Sequence, residues 1–111
     1  MMILSKTKKY TLIKPTQKTV KEFLQEFEKK SQEFINEHLI IDFSNYFNTK
    51  IKEILLFLDK SKEYKQRGTS FVLIFKDIDI DSIPEEINVV PTFKEALDII
   101  EMDAIERDLG F

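Results

Sequence analysis

Three aspartates alternate with isoleucine in Asp77-Ile78-Asp79-Ile80-Asp81, the spacing with which a calcium loop begins, because alternating carboxylates can converge on a hard cation. The pattern then departs from such a loop. Its sixth position is Ser82, where the tight turn needs glycine, and its twelfth is Asn88, where a bidentate glutamate belongs. An extended segment with one wet face fits the alternation better. His38 is the one histidine and cysteine is absent, which removes disulfides, thiolate catalysis, iron–sulfur clusters and the usual structural zinc sites. A histidine-assisted nucleophile would need more partners than the sequence offers near His38, which is expected simply to open a strand. Glu85 and Glu86 follow Pro84, where adjacent carboxylates serve the positive end of a first helical turn. The two glycines, Gly68 and Gly110, are too few for a dinucleotide or P-loop phosphate cradle. The expectation is therefore a chain with no catalytic residue, no metal and no cofactor.

Contact chemistry is better represented. The segment from Asp42 to Lys50 reads Asp-Phe-Ser-Asn-Tyr-Phe-Asn-Thr-Lys, and it follows an apolar run at the kind of sheet edge where open α/β folds place their ligands. Tyr46 and Phe47 are aromatic residues in an otherwise polar loop, a composition found in interface anchors, although either could instead fold back on the core. Ser44 and Thr49 are types that accept phosphate, and equally types that cap helices and form turns; capping is the favoured reading. Asp42, Ser44, Asn45, Tyr46, Phe47, Thr49 and Lys50 are the candidate partner-binding residues.

The elements that must position this loop can be read in order. Met1 to Ser5 and Tyr10 to Ile13 are short apolar runs flanking Lys6-Thr7-Lys8-Lys9, which predicts a hairpin. Thr19-Val20-Lys21-Glu22 has the form of a capping box, and Val20, Phe23, Leu24, Phe27, Phe34 and Ile35 then share a face, which predicts a helix to about Glu37. His38 to Phe43 (HLIIDF) and Ser70 to Phe75 (SFVLIF) suit parallel strands buried on both faces. Between them, Ile51, Ile54, Leu55 and Leu58 repeat at helical spacing from Asn48 to Gln66, and Gly68 supplies a left-handed cap. A short helix at Pro84, a brief strand at Val89-Val90 and a last helix with the stripe Phe93, Leu97, Ile100 and Ala104 complete the chain, with a charged tail from Glu106 to Phe111 expected to fray.

With 42% apolar and 33% charged residues in 111 positions, one globular domain over residues 1–111 is expected. No apolar run approaches the roughly 20 residues that span a bilayer, and Met1 to Pro15 lacks the apolar segment of a secretory signal, so a cytoplasmic chain with no membrane partner is expected. Residues 1–30 hold eight lysines against three glutamates, a balance of +5 that leaves −8 for the rest of a chain whose total is −3. The lysines read as a solvated face, not as a nucleic-acid footprint.

This succession of strand, strand, helix, strand, helix, strand, short helix, short strand and helix resembles the STAS domain, the fold of bacterial anti-sigma-factor antagonists and sulphate-transporter tails. The resemblance covers nearly the whole chain and is sharpest from His38 to Phe75. It implies an α/β fold with a central mixed sheet of four to five strands, an amino-terminal β-hairpin and about four helices. It also implies a non-catalytic regulatory module that binds another protein, such as an anti-sigma-factor-like regulator, through the loop before the second helix. Family antagonists carry an Asp-Ser-Ser-Gly motif there, on which a kinase phosphorylates serine. This sequence has Lys50-Ile51-Lys52-Glu53 at that place, so the acceptor serine is missing and switching at the usual position is not expected. The alternative expectation is a structural or oligomeric accessory protein, either a homodimer that sets the basic first helix against the acidic carboxyl-terminal half or a subunit beside an enzyme.

Overall fold

The computed structural model describes residues 2–110. Five strands form one sheet in chain order: β1 (Met2–Lys6), β2 (Thr11–Pro15), β3 (Leu39–Asp42), β4 (Phe71–Ile74) and β5 (Asn88–Val90). β1 and β2 are antiparallel with Leu4 opposite Ile13, and Thr7 shapes their turn by accepting the Lys9 and Tyr10 amides on its hydroxyl. From β2 onward every pairing is parallel. The expected mixed α/β sheet with its amino-terminal hairpin is therefore present. The expected beginning of the first strand at Met1 and the end of the tail at Phe111 lie outside the described residues.

Four α-helices flank the sheet: α1 (Val20–Lys29), α2 (Ile51–Ile54), α3 (Leu58–Gln66) and α4 (Phe93–Asp108). α1 to α3 cover one face, where Phe23, Phe27, Ile54, Phe57 and Tyr64 pack on Ile13, Leu39, Ile41, Phe71 and Leu73. α4 covers the other through Ala96 and Ile100 on Ile40, Val72 and Ile74. β3 and β4 read as unbroken apolar runs because both their faces are buried in this way. Among the described residues no helix is long and apolar enough to cross a membrane.

Several boundaries differ from the sequence expectation, each for a physical reason. The first helix stops at Lys29, and Ser31–Phe34 forms a 3₁₀ turn. A helix running to Glu37 would be about 27 Å long at 1.5 Å per residue, whereas a four-residue strand spans only about 13 Å. The break at Lys30 keeps Phe34 over the sheet, stacked on Phe27 at 5.7 Å. The second helix begins at Ile51, three residues later than Asn48, because Asn48 is left-handed with φ 59°, and a 3₁₀ turn at Leu55–Phe57 separates α2 from α3. Its inward side is Ile54, Phe57, Ser61 and Tyr64, so Leu55, expected inside, is exposed.

The helix expected at Pro84 is absent. A 3₁₀ turn lies upstream at Ile80–Ser82, where Asp79 accepts the Asp81 amide and the Ser82 hydroxyl on its carboxylate. The Asp77 to Asp81 segment is thus a capped turn and not the extended strand-like segment expected. α4 continues to Asp108, deep into the tail expected to fray, and its buried residues are Ala96 and Ile100, whereas Phe93 is partly exposed. Gly68 is left-handed at φ 77°, as the expected cap requires, and the Thr69 amide returns to the Tyr64 carbonyl.

Candidate functional site

The loop from Asp42 to Lys50 leaves the carboxyl end of β3, and its first half, to Tyr46, is fixed by specific bonds. Asp42 Oδ1 accepts the Ser44 amide at 2.8 Å, so the loop's one carboxylate forms a turn. The Phe43 amide donates to Ile74 O at 2.9 Å, which extends the β3–β4 pairing by one step, and the Tyr46 amide donates to Phe43 O at 2.9 Å, which closes the turn. Phe43 is fully buried and meets Phe23 at 5.3 Å, Phe57 at 5.7 Å and Phe75 at 4.7 Å. The loop is seated on an aromatic cluster.

Tyr46 and Phe47 take opposite roles. The Tyr46 ring stands edge-on to Phe43 at 5.1 Å, and its hydroxyl donates to Gln17 O, so Tyr46 folds back on the core. Burial, aided by the Glu22 carboxylate, raises its phenol above the ordinary tyrosine range and keeps it a neutral donor. Phe47 points outward and is 76% exposed. Asn45 is exposed beside it, Ser44 is half-buried, and Asn48 adopts the left-handed conformation that asparagine tolerates better than most residues.

Lys50, not Thr49, is the cap residue of α2; its amide donates to Glu53 Oε1 at 3.1 Å, and its carbonyl accepts the Glu53 amide at 2.9 Å. Thr49 is half-buried. Lys50, Lys52, Leu55 and Leu56 are exposed, so α2 and the turn after it present two ammonium groups and two leucines to solvent. The arrangement can offer a partner an apolar contact bordered by positive charge.

A second cluster, at the opposite end of the strands, brings together residues that are distant in sequence. Ser70 is buried at the start of β4; its hydroxyl donates to Asp103 Oδ2 at 2.7 Å and its amide to His38 Nδ1 at 3.0 Å. Arg107 donates to Gly68 O at 3.4 Å. Burial first, then the Arg107 guanidinium, lowers the His38 pKa below its ordinary 6.5, against an opposing pull from Asp103. A neutral imidazole is what an acceptor Nδ1 requires. Serine, histidine and aspartate meet here, but the hydroxyl bonds the carboxylate directly and the imidazole takes a backbone amide. They clamp α4 to the foot of β4. Sequence reading missed the cluster because the only local signal was an isolated serine before an apolar run.

Among the described residues no three histidine, aspartate or glutamate side chains are grouped as metal ligands. Compared with known proteins, the chain matches no family model and no curated sequence.

Proposed function

We propose that this chain is a regulatory protein-interaction module of the STAS type, akin to an anti-sigma-factor antagonist, that engages a partner protein through the loop from Asp42 to Lys50 and the outer side of α2. The observation that carries this reading is Phe47, a large aromatic side chain 76% exposed on a loop that is otherwise held by turn bonds and by Tyr46. Exposing an aromatic ring to water is unfavourable, and a preformed loop lowers the entropy lost when a partner covers it. Phe47 is then the anchor, and Leu55 and Leu56 extend the apolar contact.

Lys50 and Lys52 give the same surface a positive border, so the partner's rim is acidic. They stand where antagonists of the resembled family carry a phosphoacceptor serine. Binding by this chain is accordingly constitutive at that position and is not reversed by a phosphate there.

A photo-crosslinking phenylalanine analogue installed at position 47 in cells tests the reading. One reproducible protein adduct is expected, absent when the analogue sits at Lys29, exposed at the far end of α1. Adducts no different from those at Lys29 would remove the proposed surface.

A further inference from the structure

α4 is apolar on two sides. Ala96 and Ile100 face the sheet, while Met102, Ile105 and Leu109 face solvent with exposures of 57%, 58% and 65%. Their spacing places the three on one stripe of the helix, bordered by Glu101, Glu106 and Asp108. Beside that stripe lies a groove of about 460 Å³ between the carboxyl half of α4 and the β1–β2 turn. Ile100, Ala104 and Ile105 give it an apolar floor, and Lys8, Lys9 and Arg107 outnumber Glu101 around it. His38 also borders the groove but adds no charge at neutral pH, since it accepts the Ser70 amide.

We propose that this face is a homodimer interface, in which the Met102–Ile105–Leu109 stripe of each chain lies in the groove of the other. Three observations select a second copy as the occupant. A two-fold interface requires one patch that holds both halves of the contact, and Ile105 belongs to stripe and groove alike. The charges are complementary: the groove carries Lys8, Lys9 and Arg107 against Glu101 alone, and the stripe is bordered by Glu106 and Asp108, which do not line the groove. The patch is also continuous from Met102 to Leu109, a length of about 12 Å at 1.5 Å per residue over which two antiparallel helix ends can pair.

The acidic carboxyl-terminal half thus meets the basic β1–β2 turn of the partner, in place of the basic first helix. The dimer uses the end of the strands and the face of the sheet remote from Phe47, so it stands or falls independently of the role proposed for that loop. It would display two copies of Phe47, and a partner with two matching sites would gain from the linkage.

Sedimentation equilibrium of the full chain, from micromolar to near-millimolar concentration at low salt, tests the proposal. Wild type is expected to reach the dimer mass. Ile105→Lys, at a solvent-facing position, should keep the circular dichroism spectrum and melting temperature of a monomer while weakening association by at least about tenfold. Lys9→Glu should weaken it as well, and Lys9→Glu with Glu106→Lys in the same chain should restore it. A wild-type chain that stays monomeric at the highest concentration would overturn the proposal and leave the groove to a different acidic amphipathic helix. A dimer unaffected by Ile105→Lys would overturn it by placing the contact elsewhere.

Discussion

The Tyr46 hydroxyl donates a hydrogen bond to the Gln17 carbonyl, which ties the loop after β3 to the loop after β2. Because the Tyr46 ring also packs against Phe43, the residue next in sequence is directed away from the core. Phe47 is exposed as a consequence of how Tyr46 is held. The geometry at position 46 therefore controls the surface at position 47.

Tyr46→Phe should retain the ring contact with Phe43 and lose the bond to Gln17. A cost of about 1 kcal/mol in unfolding free energy is expected, the net value of one such bond. Amide exchange in the loop from Ser44 to Lys50 should accelerate, while that of β3 and β4 should not. Unchanged loop exchange would show that the bond does not restrain the loop.

Phe43→Ala should be far more costly, at about 3–5 kcal/mol, because it empties the centre of a cluster formed with Phe23, Phe57 and Phe75. Urea denaturation measures this. A loss below about 1 kcal/mol would mean that the cluster repacks around the vacancy.

His38 should make stability depend on pH. Its folded pKa lies below the ordinary 6.5, so the unfolded chain binds the proton more readily. The contribution is present above pH 6.5 and is lost as pH falls from 6.5 through the lowered folded value. His38→Asn offers the Ser70 amide an acceptor that does not titrate, and it should flatten the curve in that interval. The same slope in both proteins would assign the effect to another group.

Tyr64 gives the opposite sign at the alkaline end. Burial pushes its phenol up to about 12, aided by Glu37 and Glu63 and opposed by Arg67. Its hydroxyl donates to Phe34 O at 3.0 Å. Stability should fall as pH rises from 10 toward about 12, and Tyr64→Phe should abolish that loss while costing about 1–2 kcal/mol at neutral pH, since a buried carbonyl loses its donor. Denaturation midpoints across the alkaline range would check both.

The parts of this fold that could be read from sequence are those with a local cause. The β1–β2 hairpin, the two runs HLIIDF and SFVLIF, the Thr19 cap and the Gly68 terminus are signalled by residues adjacent in the chain. The break after α1 is not, because Phe34 and Ile35 continue the helical period beyond it. Their carbonyls accept instead from Tyr64 and Arg67, which belong to the third helix and its cap. For the same reason His38, Ser70 and Asp103 gave no joint signal. At the candidate site the loop was legible as a polar stretch with two aromatics, but which ring faces solvent is decided by the turn from Phe43 to Tyr46 and by Gln17.

Capture of cellular proteins on tagged wild type and on Phe47→Ala decides whether Phe47 anchors a partner protein. Position 47 is 76% exposed, so the variant should melt within about 0.5 kcal/mol of wild type in stability. A partner retained by wild type should be retained at least about tenfold less by the folded variant. Equal retention of every captured protein by a variant of unchanged stability would contradict it.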